Sequence, residues 1–324
     1  MHDVSVQRRT LRLGTRGSQL ARWQAEWVAG ELRRVGHTIE LVEIATRGDV
    51  ERAIAIEEIG TRGVFTKEIQ RALLTGDVDL AVHSLKDLPT EPVEGLVLAA
   101  VPLRESPADA LVVAGSVEQG AGSKTSSTDF FAMLANSARV GTGSLRRRTQ
   151  LLHLRPDLLI SDVRGNVDTR LRKLDEGQFE ALVLAEVGLP RLGLQGRIGC
   201  SLPFDVMLPA AGQGALGIEC RADDPATRAA VVALEDSATR AAVTAERALL
   251  HHLRGGCMAP VGTWGRVEQG VLALSAVVLS ADGTKRLAAD DRGEPQQAES
   301  LGKRVATELI DRGADKLIAA ARNS

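Results

Sequence analysis

Residues 140–172 read VGTGSLRRRTQLLHLRPDLLISDVRGNVDTRLR, and they contain the same local design twice. The first copy runs from an apolar strand end through a turn to Ser144, a residue type that caps helices, and then to a helical pattern over 145–152. The second copy runs from a strand end at Val163 through a tight turn to the cap Asn166 and a second helix. Strands that alternate with helices in this way predict an α/β sheet with parallel strands.

Arginines stand at the start of both predicted helices. Arg146, Arg147 and Arg148 fall in the first turn of one helix, and Arg164 and Arg170 lie around the start of the other. The N-terminus of a helix is the positive end of its dipole, where cations are unfavourable and anions are welcome. A solvated basic face explains any single arginine. Two capped turns of the same design favour a site for a ligand with several carboxylates or phosphates.

The composition limits the classes of function. A chain of 324 residues with 44% hydrophobic content predicts two or three domains with well-filled cores. The net charge is −2, aromatic residues make up 2%, and there is no tyrosine, so a nucleic-acid partner is not expected. The arginines of 140–172 are therefore a local feature, which suits a small anionic ligand.

Targeting and cysteine patterns are equally plain. The first ten residues, MHDVSVQRRT, contain no apolar segment, and no apolar run reaches the length of a membrane span, so we expect a cytoplasmic protein without a membrane partner. Cys200, Cys220 and Cys257 are widely spaced, which argues against disulfides or a zinc site. No exposed heptad pattern indicates a coiled coil, and we expect a monomer.

The pattern of elements predicts two α/β lobes and a small α+β C-terminal domain. The alternation of strands and helices restarts around Leu103, and the apolar segment Leu208–Cys220 could return to the first lobe and complete its sheet. Two crossings of this kind would leave a cleft between the lobes. Residues 46–63 and 115–128 are predicted to be mobile surface segments. The predicted domains are 8–103 with 204–222, then 104–203, then 223–324.

Asp87 is the carboxylate most open to a chemical role. It stands beside Lys86 and follows the predicted strand Val78–His83. Ligands bind at the carboxyl ends of parallel strands, where an aspartate could hold a cationic nitrogen or act as a general acid or base. By position alone, a turn residue is at least as good an interpretation.

Cys257 follows the turn Gly255–Gly256 at the end of a predicted helix. It could be a reactive thiol, although a small buried hydrophobic residue is the usual fate of a free cysteine. A metal site with His251 and His252 is the weakest interpretation, because a fourth ligand and the normal spacing are missing. Several other residues have two interpretations each, as local structural residues or as ligand-binding ones: Arg16 and Ser18 at the first helix, Arg62 in the mobile segment, and Gln213 between two glycines.

Six segments carry a resemblance to a known family, and in chain order they are Leu11–Ala21 (LRLGTRGSQLA), Ala81–Pro89 (AVHSLKDLP), Val140–Arg147 (VGTGSLRR), Arg164–Arg170 (RGNVDTR), Leu208–Arg221 (LPAAGQGALGIECR) and Gly255–Gly262 (GGCMAPVG). In these segments the chain resembles the porphobilinogen deaminases, also called hydroxymethylbilane synthases. Several of the segments are long and unusual, and they are distributed over nearly the whole chain.

The resemblance implies lobes like those of type II periplasmic binding proteins, with a third domain that carries a cofactor. It implies a transferase of tetrapyrrole (porphyrin and haem) biosynthesis that joins four porphobilinogen molecules head to tail and releases ammonia. By position, Cys257 would hold dipyrromethane through a thioether, and a buried Asp87 would stabilise positive charge on the pyrrole nitrogens. The resemblance assigns cofactor binding to Ser84, Lys86, Thr142, Ser144, Arg146, Arg147, Arg170 and Gln213, and substrate binding to Arg16, Ser18, Arg62, Arg164 and Arg191.

Some positions depart from the family pattern. Arg62 stands where lysine is common, Gly143 replaces a usual serine, and Val187 stands where the smaller alanine is common. Met258 replaces a more polar neighbour of the cysteine, and the excursion 115–128 is longer than usual. The competing hypothesis is a non-catalytic two-lobed protein that binds a small anion, which would leave Cys257 and the third domain without a function. A DNA-binding regulator is disfavoured, because no helix-turn-helix segment is found.

Overall fold

A computed structural model describes residues 9–45, 66–114, 134–256 and 258–322. Both segments predicted to be mobile, 46–63 and 115–128, lie outside the described residues. The chain divides into two compact units. The first unit comprises residues 1–103 and 216–236, and the second comprises 104–215 and 237–324.

The first unit is built on a five-stranded mixed sheet in the order β2-β1-β3-β10-β4. Strands β1, β2 and β3 are parallel, and β10 is antiparallel to both of its neighbours. The strands are β1 (Thr10–Thr15), β2 (Thr38–Glu43), β3 (Leu80–Ser84), β4 (Leu96–Ala100) and β10 (Leu216–Arg221), and the helices are α1 (Gln19–Arg34), α2 (Lys67–Leu74) and α6 (Pro225–Val231).

Helix α1 forms because its apolar residues recur at helical spacing and its start is capped. Val28 and Leu32 are fully buried and pack with Leu13 of β1 in one hydrophobic core. The Ser18 side chain accepts a hydrogen bond from the backbone N–H of Ala21, which satisfies a donor that the first turn would otherwise leave unpaired. The turn between β1 and α1 is therefore firmly fixed.

The second unit contains a sheet of the same design, in the order β7-β6-β8-β5-β9. Again three strands are parallel, and the next two run antiparallel to their neighbours. Its elements are β5 (Asp109–Val113), β6 (Arg139–Gly141), α3 (Leu145–Leu154), β7 (Leu159–Ser161), α4 (Val167–Asp175), β8 (Ala181–Ala185), α5 (Gly188–Arg191) and β9 (Cys200–Leu202).

The second unit also contains the C-terminal α+β part, an antiparallel three-stranded sheet covered by helices. The elements are α7 (Ser237–His252), β11 (Val261–Glu268), β12 (Val271–Leu279), β13 (Arg286–Gly293), α8 (Ala298–Asp311) and α9 (Ala314–Arg322). The turn between β12 and β13 contains Gly283 at φ 76°, a backbone conformation that glycine adopts without strain. This turn also contacts α3, since His153 Nδ1 lies 2.8 Å from the Gly283 carbonyl oxygen.

The predicted fold class, two α/β lobes and a small α+β part, is confirmed by the two sheets of equal design and the separate antiparallel sheet. The predicted return of the segment Leu208–Cys220 is confirmed from Leu216 onward, because β10 lies between β3 and β4, whereas residues 208–215 belong to the second unit. The predicted end of the strand, Val163, was wrong by two residues, since β7 ends at Ser161. The division into three domains at the predicted bounds stays a prediction.

The contact between α7 and α8 depends on a glycine, which gives a test of the packing. A Cβ added at Gly302 would meet the Ala245 carbonyl oxygen and would lie 2.9 Å from the Ala248 Cβ. We expect Gly302→Ala to force the helices apart and to lower the free energy of unfolding by about 1–3 kcal/mol, measured by urea denaturation.

The matched control is Gly30→Ala in α1, where an added Cβ meets no atom within 4 Å. Because alanine is the better helix former, this change should raise the free energy of unfolding by about 0.5–1 kcal/mol. Equal effects of the two substitutions would contradict the close helix contact.

Candidate functional site

Asp87 lies in a short 3₁₀ turn, Leu85–Asp87, that follows β3 directly. Leu85 is fully buried, and its side chain anchors the turn in the hydrophobic core. Ser84 Oγ accepts a hydrogen bond of 2.8 Å from Gln24 Nε2 of α1, which ties the end of the strand to the helix. The turn that carries Asp87 is therefore held by the buried Leu85 side chain and by the hydrogen bond between Ser84 and α1.

Asp87 itself is exposed, so the expectation of a buried carboxylate was wrong. The turn buries Leu85 and directs the next residues away from the core. A carboxylate in water interacts weakly with a nearby charge, because the effective dielectric constant is high. Asp87 can act strongly on a cation only where a bound molecule excludes that water.

The strand next to β3 in the sheet carries a buried polar group. Glu219 of β10 accepts from Gln70 Nε2 at 3.2 Å through both of its oxygens. His83 Nε2 lies 3.0 Å from Glu219 Oε2, although the angles are not those of a hydrogen bond. These contacts join β3, β10 and α2 just before the turn that carries Asp87.

The other predicted site residues of the first unit lie on the two strand ends. Arg16 and Ser18 follow β1 and are partly buried, and Ser18 caps α1 as described above. Lys86 is partly buried in the turn with Asp87. The parallel pairing of β1 with β3 brings Gly14 opposite Ala81, so both turns lie at the same edge of the sheet.

In the second unit Arg146 and Arg147 are buried, and both pair with a carboxylate that the sequence analysis did not identify. Asp109 Oδ2 accepts from Arg146 Nη1 at 2.6 Å. Asp109 Oδ1 accepts from Arg147 Nη2 at 2.8 Å and from Arg147 Nε at 3.0 Å. The sequence pattern placed the arginines correctly at the helix start, but it did not predict that an aspartate would be buried with them.

Gln213 joins this arginine cluster from the turn before β10. It is completely buried, and its Nε2 donates to Asp109 Oδ1 at 2.9 Å. Its backbone carbonyl accepts from Arg104 Nε at 2.7 Å, and Arg104 also forms an ion pair of 2.7 Å with the buried Glu246 of α7. Gln213 is therefore more than a turn residue, since its side chain and backbone both contact charged groups.

Arg191 is also buried, and it pairs with an exposed carboxylate, since its Nη2 donates to Glu105 Oε1 at 2.7 Å and to the Gly214 carbonyl at 3.2 Å. Arg164 and Arg170 lie nearer the surface of this unit. Arg164 Nε donates to Asp162 at 2.7 Å, and Arg170 Nε donates to the Gly165 carbonyl at 2.8 Å.

The caps of the two arginine-bearing helices differ. Asn166 caps α4 as predicted, with its Oδ1 accepting from the backbone N–H of Thr169 at 3.1 Å. Ser144 occupies the cap position of α3, but its side chain makes no capping hydrogen bond. Instead Thr142 Oγ1 accepts from the Ser144 backbone N–H at 3.3 Å. The partly exposed Ser144 hydroxyl is thus not used to cap the helix.

Two predicted site residues, Cys257 and Arg62, lie outside the described residues. The remaining cysteines, Cys200 and Cys220, are buried free thiols. Burial raises the pKa of each of these thiols to about 11, so both are held in the unreactive protonated form.

Three of the departures from the family pattern can be placed. A Cβ at Gly143 would lie 2.9 Å from Asp162 Oδ1 and 3.1 Å from the Val163 carbonyl oxygen, so a serine here would require the neighbours to shift. Val187 is buried. Met258 is 52% exposed, an unusual position for a large apolar side chain.

The comparison with protein families identifies two matching domains. Residues 11–229 match the family described as "Porphobilinogen deaminase, dipyromethane cofactor binding domain", and residues 240–311 match "Porphobilinogen deaminase, C-terminal domain". A protein named porphobilinogen deaminase from Desulforudis audaxviator is 48% identical over 97% of this chain and 99% of its own length. One of the same name from Syntrophotalea carbinolica is 45% identical over 96% of this chain and 95% of its own length.

Among solved structures, a nutrient binding protein from Burkholderia cenocepacia bound to methionine covers 69% of this chain and 91% of its own, at 14% identity and a TM-score of 0.41. The methionine binding protein MetQ covers 66% of this chain and 84% of its own, at 15% identity and a TM-score of 0.37. Among the described residues, no helix is long and apolar enough to cross a membrane. By its two matching domains and its nearly full-length relatives, the chain belongs to the porphobilinogen deaminase family of transferases, whose cofactor is dipyrromethane.

Proposed function

We propose that the protein catalyses the hydroxymethylbilane synthase reaction, in which four porphobilinogen molecules are joined head to tail with release of ammonia. The growing chain would be built on dipyrromethane held by Cys257. The observation that best supports this proposal is the buried arginine cluster at the start of α3, because every pyrrole unit of such a chain brings carboxylates that need cationic partners.

The residues present fit dipyrromethane. The cluster of Arg146, Arg147 and Asp109 contains two guanidinium groups and one carboxylate, so one positive charge is not balanced within it. Arg146 Nε is buried and has no hydrogen-bond partner among the described residues. A carboxylate is the group that would satisfy both the charge and the donor. When bound, the cofactor would supply the pyrrole carbon from which the chain grows.

The remaining cations of the proposed site would hold the acidic side chains of the substrate and of the growing chain. Most of them stand at helix starts or strand ends, where backbone N–H groups also favour anions, whereas Arg191 is the last residue of α5. Arg191 and the cluster arginines are buried, whereas Arg164 is exposed and Arg170 is partly exposed. Cofactor binding is proposed for Ser84, Lys86, Thr142, Ser144, Arg146, Arg147, Arg170 and Gln213, and substrate binding for Arg16, Ser18, Arg62, Arg164 and Arg191.

Asp87 is proposed to stabilise positive charge on the reacting pyrrole. Loss of ammonia leaves an electron-poor ring, and attack by the next pyrrole places positive charge on ring nitrogens. Because Asp87 is exposed in the protein alone, its effect would depend on the bound rings, which would exclude water from the carboxylate and so strengthen the interaction.

A non-catalytic anion-binding protein would use the same sheets and arginines. Incubation with porphobilinogen separates the two functions, because the proposed reaction releases ammonia and yields a product that closes to a uroporphyrinogen with loss of water. Binding of porphobilinogen without release of ammonia would support the binding protein instead.

The carboxylate of Asp87 can be tested by Asp87→Asn, which keeps the size of the side chain and removes its charge. We expect the turnover number for porphobilinogen to fall by about 10²–10³-fold, the usual effect of removing one preorganised electrostatic group. The free energy of unfolding should change little, because the side chain is exposed.

Asp77→Asn is the matched control, since Asp77 is an exposed aspartate of the same unit and is proposed to have no role in the reaction. Its turnover number should equal that of the parent protein. Near-normal turnover in the Asp87 variant would rule out the proposed role of that carboxylate.

Attachment at Cys257 can be tested by intact-protein mass spectrometry. The parent protein should be heavier than its sequence by one dipyrromethane, and the excess should be absent from Cys257→Ala. Cys200→Ala should keep the excess, because the Cys200 thiol is buried and unreactive. A parent mass equal to the bare sequence, even after incubation with porphobilinogen, would contradict the attachment.

A further inference from the structure

Asp109 is the first residue of β5, and its side chain is completely buried. A buried carboxylate is costly unless charged or polar groups surround it. Three side chains do so here, namely Arg146 and Arg147 from α3 and Gln213 from the turn before β10.

Asp109 holds each arginine through two contacts. Arg146 donates through Nη1 at 2.6 Å and through Nη2 at 3.4 Å, and Arg147 donates through Nε at 3.0 Å and through Nη2 at 2.8 Å. Backbone carbonyls fix the far side of both groups, since Arg146 Nη1 also donates to Leu208 and Arg147 Nη1 donates to Val183. The orientation of both guanidinium groups is therefore set by the Asp109 carboxylate together with these backbone carbonyls.

The charges favour an ionised Asp109. Burial alone would raise the pKa of this carboxyl, but the charges and hydrogen bonds of Arg146 and Arg147 hold the pKa well below its usual range. Burial also lowers the pKa of Arg146, which shows that its charge is poorly solvated. One carboxylate balances only one of the two guanidinium groups, and the surplus positive charge is buried with them.

We propose that Asp109 is a positioning residue, which orients Arg146 and Arg147 so that their surplus charge is presented to one carboxylate of the bound pyrrole chain. The same carboxylate would accept from the Arg146 Nε–H, which has no partner in the part of the chain that the structure describes. The inference rests on the proposed function for the identity of that chain. It differs from a purely structural role, in which Asp109 would only neutralise buried arginines and its exact position would not matter.

The test uses Asp109→Glu and Asp109→Asn in the full-length protein. Glutamate keeps the charge, and with it the pairing of the arginines, but it moves the carboxylate by one methylene. We expect a melting temperature close to that of the parent for Asp109→Glu. The turnover number, counted per molecule that carries dipyrromethane by intact mass, should fall about 10- to 100-fold, because a small misplacement of groups that orient reactants has effects of this size.

Counting turnover per loaded molecule separates the two roles. A purely structural defect lowers the fraction of loaded protein and leaves the turnover of the loaded fraction unchanged. Asp109→Asn should show the same loss of turnover and a lower loaded fraction, since it removes the charge as well. Asp157→Asn is the matched control, because Asp157 also pairs with an arginine of this unit, Arg155, but lies partly exposed. It should match the parent in both measurements.

The inference is overturned if either variant folds and its loaded fraction turns over within twofold of the parent. If only Asp109→Asn fails to fold, the result for Asp109→Glu decides whether the inference holds. If both variants fail to fold, Asp109 has a purely structural role and the inference is overturned. If the parent neither carries pyrrole mass nor releases ammonia, the proposed function has failed. Asp109 is then judged by calorimetric binding of porphobilinogen to Cys257→Ala, with and without Asp109→Glu, where unchanged affinity would overturn the inference.

Discussion

The second unit depends on one constraint, that a buried guanidinium group needs a carboxylate partner to offset the cost of removing its charge from water. Removing one partner of a buried ion pair leaves an uncompensated charge and costs about 3–5 kcal/mol. Arg146 and Arg147 share Asp109, and Arg104 pairs with Glu246. The first arrangement leaves positive charge in excess and the second leaves none. The excess at the start of α3 is what makes this cluster suitable for an acidic ligand.

The same constraint links the C-terminal part of the second unit to the predicted site. Glu246 of α7 is fully buried and accepts from the backbone N–H groups of Gly212 and Gly265, each at 2.7 Å, as well as from Arg104. It therefore fixes the turn that carries Gln213, and it lies on the helix that precedes the segment containing Cys257. One carboxylate thus fixes the backbone of the turn before β10 and of the strand β11.

In the first unit the proposed charged group is instead an exposed carboxylate, Asp87, on a turn that is held in place. Water solvates Asp87, so its charge does not have to be compensated inside the core. The position of Asp87 is set by Leu85, by Ser84 and by the polar contacts between β3, β10 and α2. An exposed acid on a fixed turn costs little stability in the protein alone. Its electrostatic effect would grow when a ligand displaces water. The two units thus differ in how they hold a charge, since the second unit buries Arg146 and Arg147 whereas the first leaves Asp87 exposed.

The sequence by itself determined the alternation of strands and helices and the helix starts that carry the arginines, and it indicated the fold class and the return of the chain to the first sheet. The alternation and the helix starts follow from local periodicity, capping residues and turn residues, which act over a few positions. The pairing of Arg146 and Arg147 with Asp109, the contact of Glu246 with Gly212 and the exposure of Asp87 were decided only by the tertiary structure. Asp109 precedes those arginines by more than thirty residues and reaches them only because β5 and β6 join the same sheet. Burial and ion pairing between distant segments depend on that packing, and no local pattern encodes them.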